Sequence, residues 1–244
     1  EAPKAFYPLS PATKSFLDDK RDKRPDTIRS YKNFLKLFQE WILEKYRDDI
    51  YVINVNSSMA VEFMEEMWRK QIGANRYNNY LGFQILFFNW LIEHNYSKSN
   101  PFKTVKKRKN TEKIRVMEIS GEDRKKIRDY LKNHNRRYLA MVLLAYHSLL
   151  RPKEIVYLKG INVNIEKQTI IVDGSFSKNH KERIATIPNV LVNLMKEIMI
   201  DVGDNDYLFS KTFQKGRILL DRREVSRYWN DLRNTIKLKK EIQF

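Results

Sequence analysis

Cysteine is absent from the 244 residues. Disulfides, zinc ribbons, iron–sulfur clusters and thiol nucleophiles are thereby excluded together, and the absence fits a reducing, cytoplasmic compartment. Glycine is scarce, at seven residues, and no glycine-rich phosphate loop, HExxH, EF-hand loop or GxSxG is present. His94, His134, His147 and His180 are the only histidines. None pairs with another at metal-ligand spacing, so no metal is expected. No apolar run approaches the roughly 20 residues of a membrane span, and the N-terminus has no signal-peptide pattern. Acidic charge is in deficit as well: 47 Lys and Arg face 30 Asp and Glu, a net +17. With 42% apolar and 12% aromatic residues, the chain is expected to fold. A folded protein with that cationic excess points to a polyanion as partner, nucleic acid first.

The charge is uneven. Residues 1–105 hold 16 basic and 13 acidic side chains, and residues 106–244 hold 31 and 17. Two units are expected: a helical one over 1–102 and a mixed one over 118–244, joined by a basic linker at 103–117.

The first unit reads as a small helical bundle. In DTIRSYKNFLKLFQEWILEKY, residues 26–46, the apolar positions Ile28, Tyr31, Leu35, Phe38, Ile42 and Tyr46 recur at steps of three and four. That is the helical period, with Asp26 as the N-cap. A further helix is expected from Ser57 or Ser58, carrying Val61, Met64 and Trp68. Another runs through RYNNYLGFQILFFNWLIEHN, and a short one leads at Thr13 to Asp19. The bundle is expected to stop at SNPF, residues 99–102, because the residue before a proline disfavours the helical region. The following KTVKKRKNTEKIR, residues 103–115, has seven basic residues and one acid. It is either a solvated connector or an anion contact.

The second unit opens at Ser120-Gly-Glu-Asp123, a capping-box-like start to a helix through Leu131. An apolar helix over 138–150 follows, then a short one that Pro152 can start. Ile161, Val163 and Ile165 alternate, QTIIV is β-rich, Asp173-Gly174 marks a turn, and ERIATIP returns as a strand. Helices resume over 188–200 and 223–236. The fold class is therefore mainly α with a small antiparallel α+β part.

Arg151 is the most informative single residue. It follows the apolar run Tyr138 to Leu150 and precedes Pro152 and Glu154. One reading is a surface arginine at a helix C-terminus that reaches Glu154 three residues on. The other is a guanidinium held beside a phosphate, whose two oxygens match its planar fork. An unpaired buried charge would cost several kcal/mol, so a partner must exist. Downstream, Lys178 falls in the turn of the expected hairpin, five residues before Arg183.

The order of these features resembles the catalytic domain of the tyrosine recombinases, the phage integrase family: a helix ending in Arg with Glu three later, an alternating β segment, then K-x-x-K-E-R running into I-P. TIRSYKNFL at 27–35, NRYNNYLGFQILFFNWLIEHN at 75–95 and NPF at 100–102 are similar to that family's SAM-like core-binding domain and its exit. The NDYLF segment at 205–209 and the helix from Arg223 also fall where the family places them.

The resemblance implies duplex DNA as partner, with the full-length protein acting as a tetramer on paired recombination sites. The implied chemistry is strand breakage and rejoining through a 3′-phosphotyrosine, with neither metal nor ATP. Carried over by position, Arg151 is the first catalytic arginine, Lys178 the lysine that protonates the leaving oxygen, and Glu154 the partner that orients Arg151. Further DNA contacts are expected at Thr27, Arg29, Arg76 and Asn78, at Lys106, Lys107, Arg108 and Lys109, and at Arg183.

Two departures stand out. The family has glycine where this chain has Leu149. The second-arginine box H-x-x-R and the nucleophilic tyrosine follow the helix that ends near Ile236, so this chain is expected to be truncated and to bind DNA without cleaving it. HNRR at 134–137 and HKER at 180–183 match the box only in letters, and Tyr207 and Tyr228 read as packing or surface residues. A DNA-binding accessory or regulatory protein of recombinase ancestry is the alternative.

Overall fold

The computed structural model describes residues 6–109, 119–177 and 181–238. The chain divides into two compact units, Glu1–Ile114 and Arg115–Phe244.

In the first unit four helices enclose an aromatic core: α1 (Leu9–Asp19), α2 (Pro25–Tyr46), α3 (Ser57–Arg69) and α4 (Ala74–Glu93). The helical period is as read, but the ends differ. Pro25 occupies the first turn of α2, behind Arg24 as N-cap, which moves Asp26 inside. A proline there gives up only an N–H that would lack an intrahelical partner anyway. Asn56, rather than a serine, caps α3 by accepting from the Met59 N–H. The buried face of α3 is Met59, Ala60, Phe63, Met64 and Met67, while Val61 is exposed.

The bundle's last helix ends at Glu93, ahead of the proline. Pro101 instead opens a 3₁₀ turn, Pro101–Thr104, capped by the Asn100 side chain. That turn drives Phe102 fully into the core, against Phe38, Phe63 and Phe88. Burying one such side chain stabilises by about 2–3 kcal/mol. The exit from the bundle is therefore part of its core.

The second unit contains α5 (Gly121–His134), α6 (Arg136–His147), α7 (Pro152–Val156), α8 (Asn189–Met199), α9 (Arg222–Thr235) and a three-stranded sheet. Its strands β1 (Val163–Asn164), β2 (Thr169–Val172) and β3 (Arg183–Thr186) pair antiparallel in the order β1-β2-β3. The register sets Val172 opposite Arg183 and Ile170 opposite Ala185. Ile170, Val172 and Ala185 face the core, with Leu139, Leu144, Ile155 and Trp229 among its other members. Ser120 caps α5 by accepting from the Asp123 N–H, as expected.

Ile161 departs from the strand pattern. It lies in a 3₁₀ turn, Gly160–Asn162, and is 66% exposed. The Asn162 side chain accepts from the Lys159 N–H, and the Gly160 N–H donates to Asp206. A Cβ on Gly160 would lie 2.5 Å from the Gly203 carbonyl oxygen, so this close approach requires glycine.

Candidate functional site

The apolar run does not carry Arg151 at its end. Asn135 caps α6, which closes at His147, and the chain turns through Ser148, Leu149 and Leu150 before Arg151 becomes the N-cap of α7. The turn depends on Leu149, whose φ of 52° is left-handed. Glycine adopts that conformation freely, whereas a Cβ makes it costly. The backbone there keeps the geometry that glycine favours even though the residue is leucine.

The buried charge is Glu154, not Arg151. The Glu154 side chain is 0% exposed and that of Arg151 is 55% exposed. Glu154 sits at the third position of α7, where a glutamate can reach back to the cap N–H. Its Oε2 accepts from the Arg151 backbone N–H at 2.8 Å, and its Oε1 from Arg151 Nη1 at 2.9 Å. A second guanidinium completes the cluster: Arg183 Nη2 donates to Oε2 at 2.9 Å and to the Leu149 carbonyl at 3.3 Å. Burial pushes the Glu154 carboxyl up. The bonds from the Arg151 N–H and from both guanidiniums outweigh that, and its pKa lies below the ordinary glutamate value. Two cations on one carboxylate leave a net positive charge, with the Arg151 fork open to solvent. This arrangement can hold an anion with two oxygens in one plane.

Alternation along β3 explains why Arg183 reaches this cluster. Successive strand residues point to opposite faces. Ala185 is buried and Ile184 is 69% exposed, so Arg183 shares the inward face with Ala185. The sequence reading expected Arg183 on DNA; the structure places its guanidinium on Glu154.

Lys178 and His180 lie outside the described residues, as do residues 110–117 of the linker. In HNRR, His134 stacks on Tyr130 and bonds to the Tyr130 carbonyl. Arg137 donates to the carbonyls of Leu208 and Ile198, a half-buried brace on the end of α8. That brace had no sequence signal, because its acceptors are backbone atoms 61 and 71 residues away. Tyr228 packs on Tyr138 and Phe213, and the ring of Tyr207 lies under Lys159 Nζ.

The candidates of the first unit separate into two kinds. Asn78 and Arg108 are engaged with each other. The Asn78 amide donates to the Arg108 carbonyl and accepts from the Arg108 N–H, both at 2.9 Å. The Arg108 guanidinium pairs with Glu65 and lies over the rings of Trp68 and Tyr77. Cation–π contact and ion pair together hold it in place. Lys106, Lys107 and Lys109 are exposed. Arg29 is exposed on α2 beside Asp26, and Thr27 is half-buried in the first turn. Arg76 donates to the Tyr80 hydroxyl from the exposed face of α4. Among the described residues no cluster of three or more metal-ligating side chains occurs, and no helix is long and apolar enough to cross a membrane.

Comparison with known proteins adds three findings. Residues 118–244 match the model of the phage integrase family. The tyrosine recombinase XerD of Rickettsia bellii is 27% identical over 202 residues, which cover 80% of this chain and 64% of that protein. The chain thus spans a little under two thirds of the length of that relative. Two solved structures share the fold. A lambda integrase dimer bound to a COC' core site has a TM-score of 0.77 at 13% identity, covering 97% of this chain and 84% of the other. The Tn1549 transposon integrase in complex with a circular intermediate DNA has a TM-score of 0.76 at 13% identity, covering 96% and 82%.

Proposed function

Since this chain belongs to the phage integrase family, we propose that it binds duplex DNA and that the protein of which it is part breaks and rejoins DNA strands site-specifically through a 3′-phosphotyrosine. The observation that carries this reading is the exposed Arg151 guanidinium fixed by a buried carboxylate. In the proposed reaction Arg151 clamps a non-bridging oxygen of the scissile phosphate. Its charge-assisted bonds strengthen as negative charge grows in the transition state. Lys178 donates the proton to the leaving 5′ oxygen, which requires it within about 3 Å of that atom. Glu154 orients Arg151. No residue of the 244 is assigned to the second arginine or to the nucleophilic tyrosine, so this chain is proposed to bind DNA without cleaving it. Lys106, Lys107 and Lys109 track the backbone, and assembly into a tetramer on paired sites belongs to the whole protein.

Binding to a mixed-sequence 40-base-pair duplex, followed by fluorescence anisotropy across a salt series, tests the reading. Wild-type affinity should fall steeply with salt, by roughly 0.9 log units per log unit of salt for each phosphate neutralised. A flat salt dependence would show that the cationic surface does not meet DNA.

A further inference from the structure

We propose that Arg183 is a positioning residue: it holds the Glu154 carboxylate in place so that Arg151 can turn its guanidinium to a DNA phosphate. The inference rests on the reading of Arg151 as a phosphate ligand. It replaces the sequence expectation that Arg183 itself touches DNA.

The division of acceptors carries it. Arg151 places its guanidinium on Oε1 alone, whereas Oε2 takes the Arg151 backbone N–H and Arg183 Nη2. When Arg151 swings toward a phosphate, Oε1 loses its donor, but Oε2 keeps both of its own. Without Arg183, the same movement strips the fully buried carboxylate of its last cation, and bare buried charge is strongly unfavourable. Arg151 would then be held back by Glu154, or Glu154 would take up a proton and release it.

The second bond of Arg183 acts on the same element. By reaching the Leu149 carbonyl, Nη2 ties down the left-handed turn two residues before Arg151. One guanidinium nitrogen thus bridges the turn before the arginine and the carboxylate three residues after it. Charged and titratable groups facing Glu154 are Arg151 from the start of α7 and Arg183 from β3. Tyr157, Lys159, Asp173 and Tyr207 line with it a cavity of about 310 Å³. The Asp173 carboxyl is kept low by the Ser175 hydroxyl and N–H, so it stays ionised.

A double-mutant cycle read by binding to the same 40-base-pair duplex separates the possibilities. Arg183→Met should weaken binding at pH 8 by roughly three- to tenfold, and far less when Glu154→Gln is already present, because a neutral amide needs no second cation. Lowering the pH from 8 to 5.5 should instead restore part of the affinity of Arg183→Met, as Glu154 gains a proton and, like the neutral amide, no longer holds Arg151 back. Neither the wild type nor the double variant should show that recovery. Equal losses in both Glu154 backgrounds, with no added pH dependence, would make Arg183 a direct phosphate contact and overturn the proposal. If Arg183→Met does not fold, Arg183→Gln takes its place in the cycle, since a neutral amide supplies no second cation to Glu154. A glutamine variant equal to wild type in both backgrounds also overturns it. Arg151→Ala is measured alongside: if that variant binds like wild type, the phosphate reading of Arg151 fails, whatever Arg183 does.

Discussion

Two arginine–glutamate pairs, one in each unit, use the same chemistry in opposite senses. In the first unit Arg108 lies over the rings of Trp68 and Tyr77, its backbone is clasped by Asn78, and its partner Glu65 is 43% exposed. In the second unit the carboxylate of Glu154 is fully buried and the cation of Arg151 is 55% exposed. The first pair holds a chain segment down. The second presents a guanidinium outward from a rigid base. Which partner is buried decides whether an ion pair serves as a clasp or as a site.

Removing the carboxylates should separate the two pairs most sharply. Glu154→Ala leaves two guanidiniums around an empty buried position and is expected to destabilise by about 2–3 kcal/mol. Glu65→Ala should cost less than about 1 kcal/mol, as exposed pairs do. Urea unfolding measures both. The Glu154 contribution has a defined pH window. Its folded pKa lies below the unfolded value of about 4.3, so the stabilisation is fully present above that value and is lost as pH falls through the folded pKa. The gap between wild type and Glu154→Gln should therefore hold from pH 8 to 5 and narrow as pH falls below the unfolded value of about 4.3.

The next effect concerns the turn that aims Arg151. Leu149 is 78% exposed with a left-handed backbone, so its side chain contributes little burial and its Cβ adds strain. Leu149→Gly should raise stability by about 1 kcal/mol, read as a higher urea midpoint. A loss of stability would show that the leucine side chain contributes more than its exposure suggests.

The smallest expected effects divide the basic run. Alanine at Lys106, Lys107 or Lys109 should each lower the salt slope of DNA binding by up to about 0.9, whereas Arg108→Ala should leave the slope unchanged and lower the stability of the first unit instead. Equal slope changes at all four positions would place Arg108 on the phosphate backbone.

Much of this was legible in the sequence, and the unread part has a common cause. Helical period located α2, α4, α8 and α9, and alternation with turn residues located β2 and β3, because both patterns are local. Ser120 as a cap was readable from its own four residues. Helix ends were less so: Asn56 competes with Ser57 and Ser58, which have similar capping tendency, and Pro25 starts α2 one residue ahead of Asp26. Of the two readings of Arg151, the exposed arginine reaching Glu154 describes the pair as found, but the full burial of Glu154 had no sequence signal. Nothing local distinguishes a buried Glu154 from an exposed one, because its second cation comes from Arg183, 29 residues on. The bonds between Asn78 and Arg108 had no local signal for the same reason, since the two residues are 30 apart in the sequence. The alternation R-I-A on β3 did carry a signal for Arg183, since it puts the arginine on the inward face with Ala185. Lys178 lies outside the described residues and keeps only its sequence argument.

The central claim is that Arg151 presents its guanidinium to a DNA phosphate, and the salt dependence of duplex binding by Arg151→Ala tests it most directly. Against wild type, the slope of log affinity on log salt should be shallower by about 0.9, one phosphate contact, with lower affinity at every salt concentration. Two superimposable lines would contradict the account.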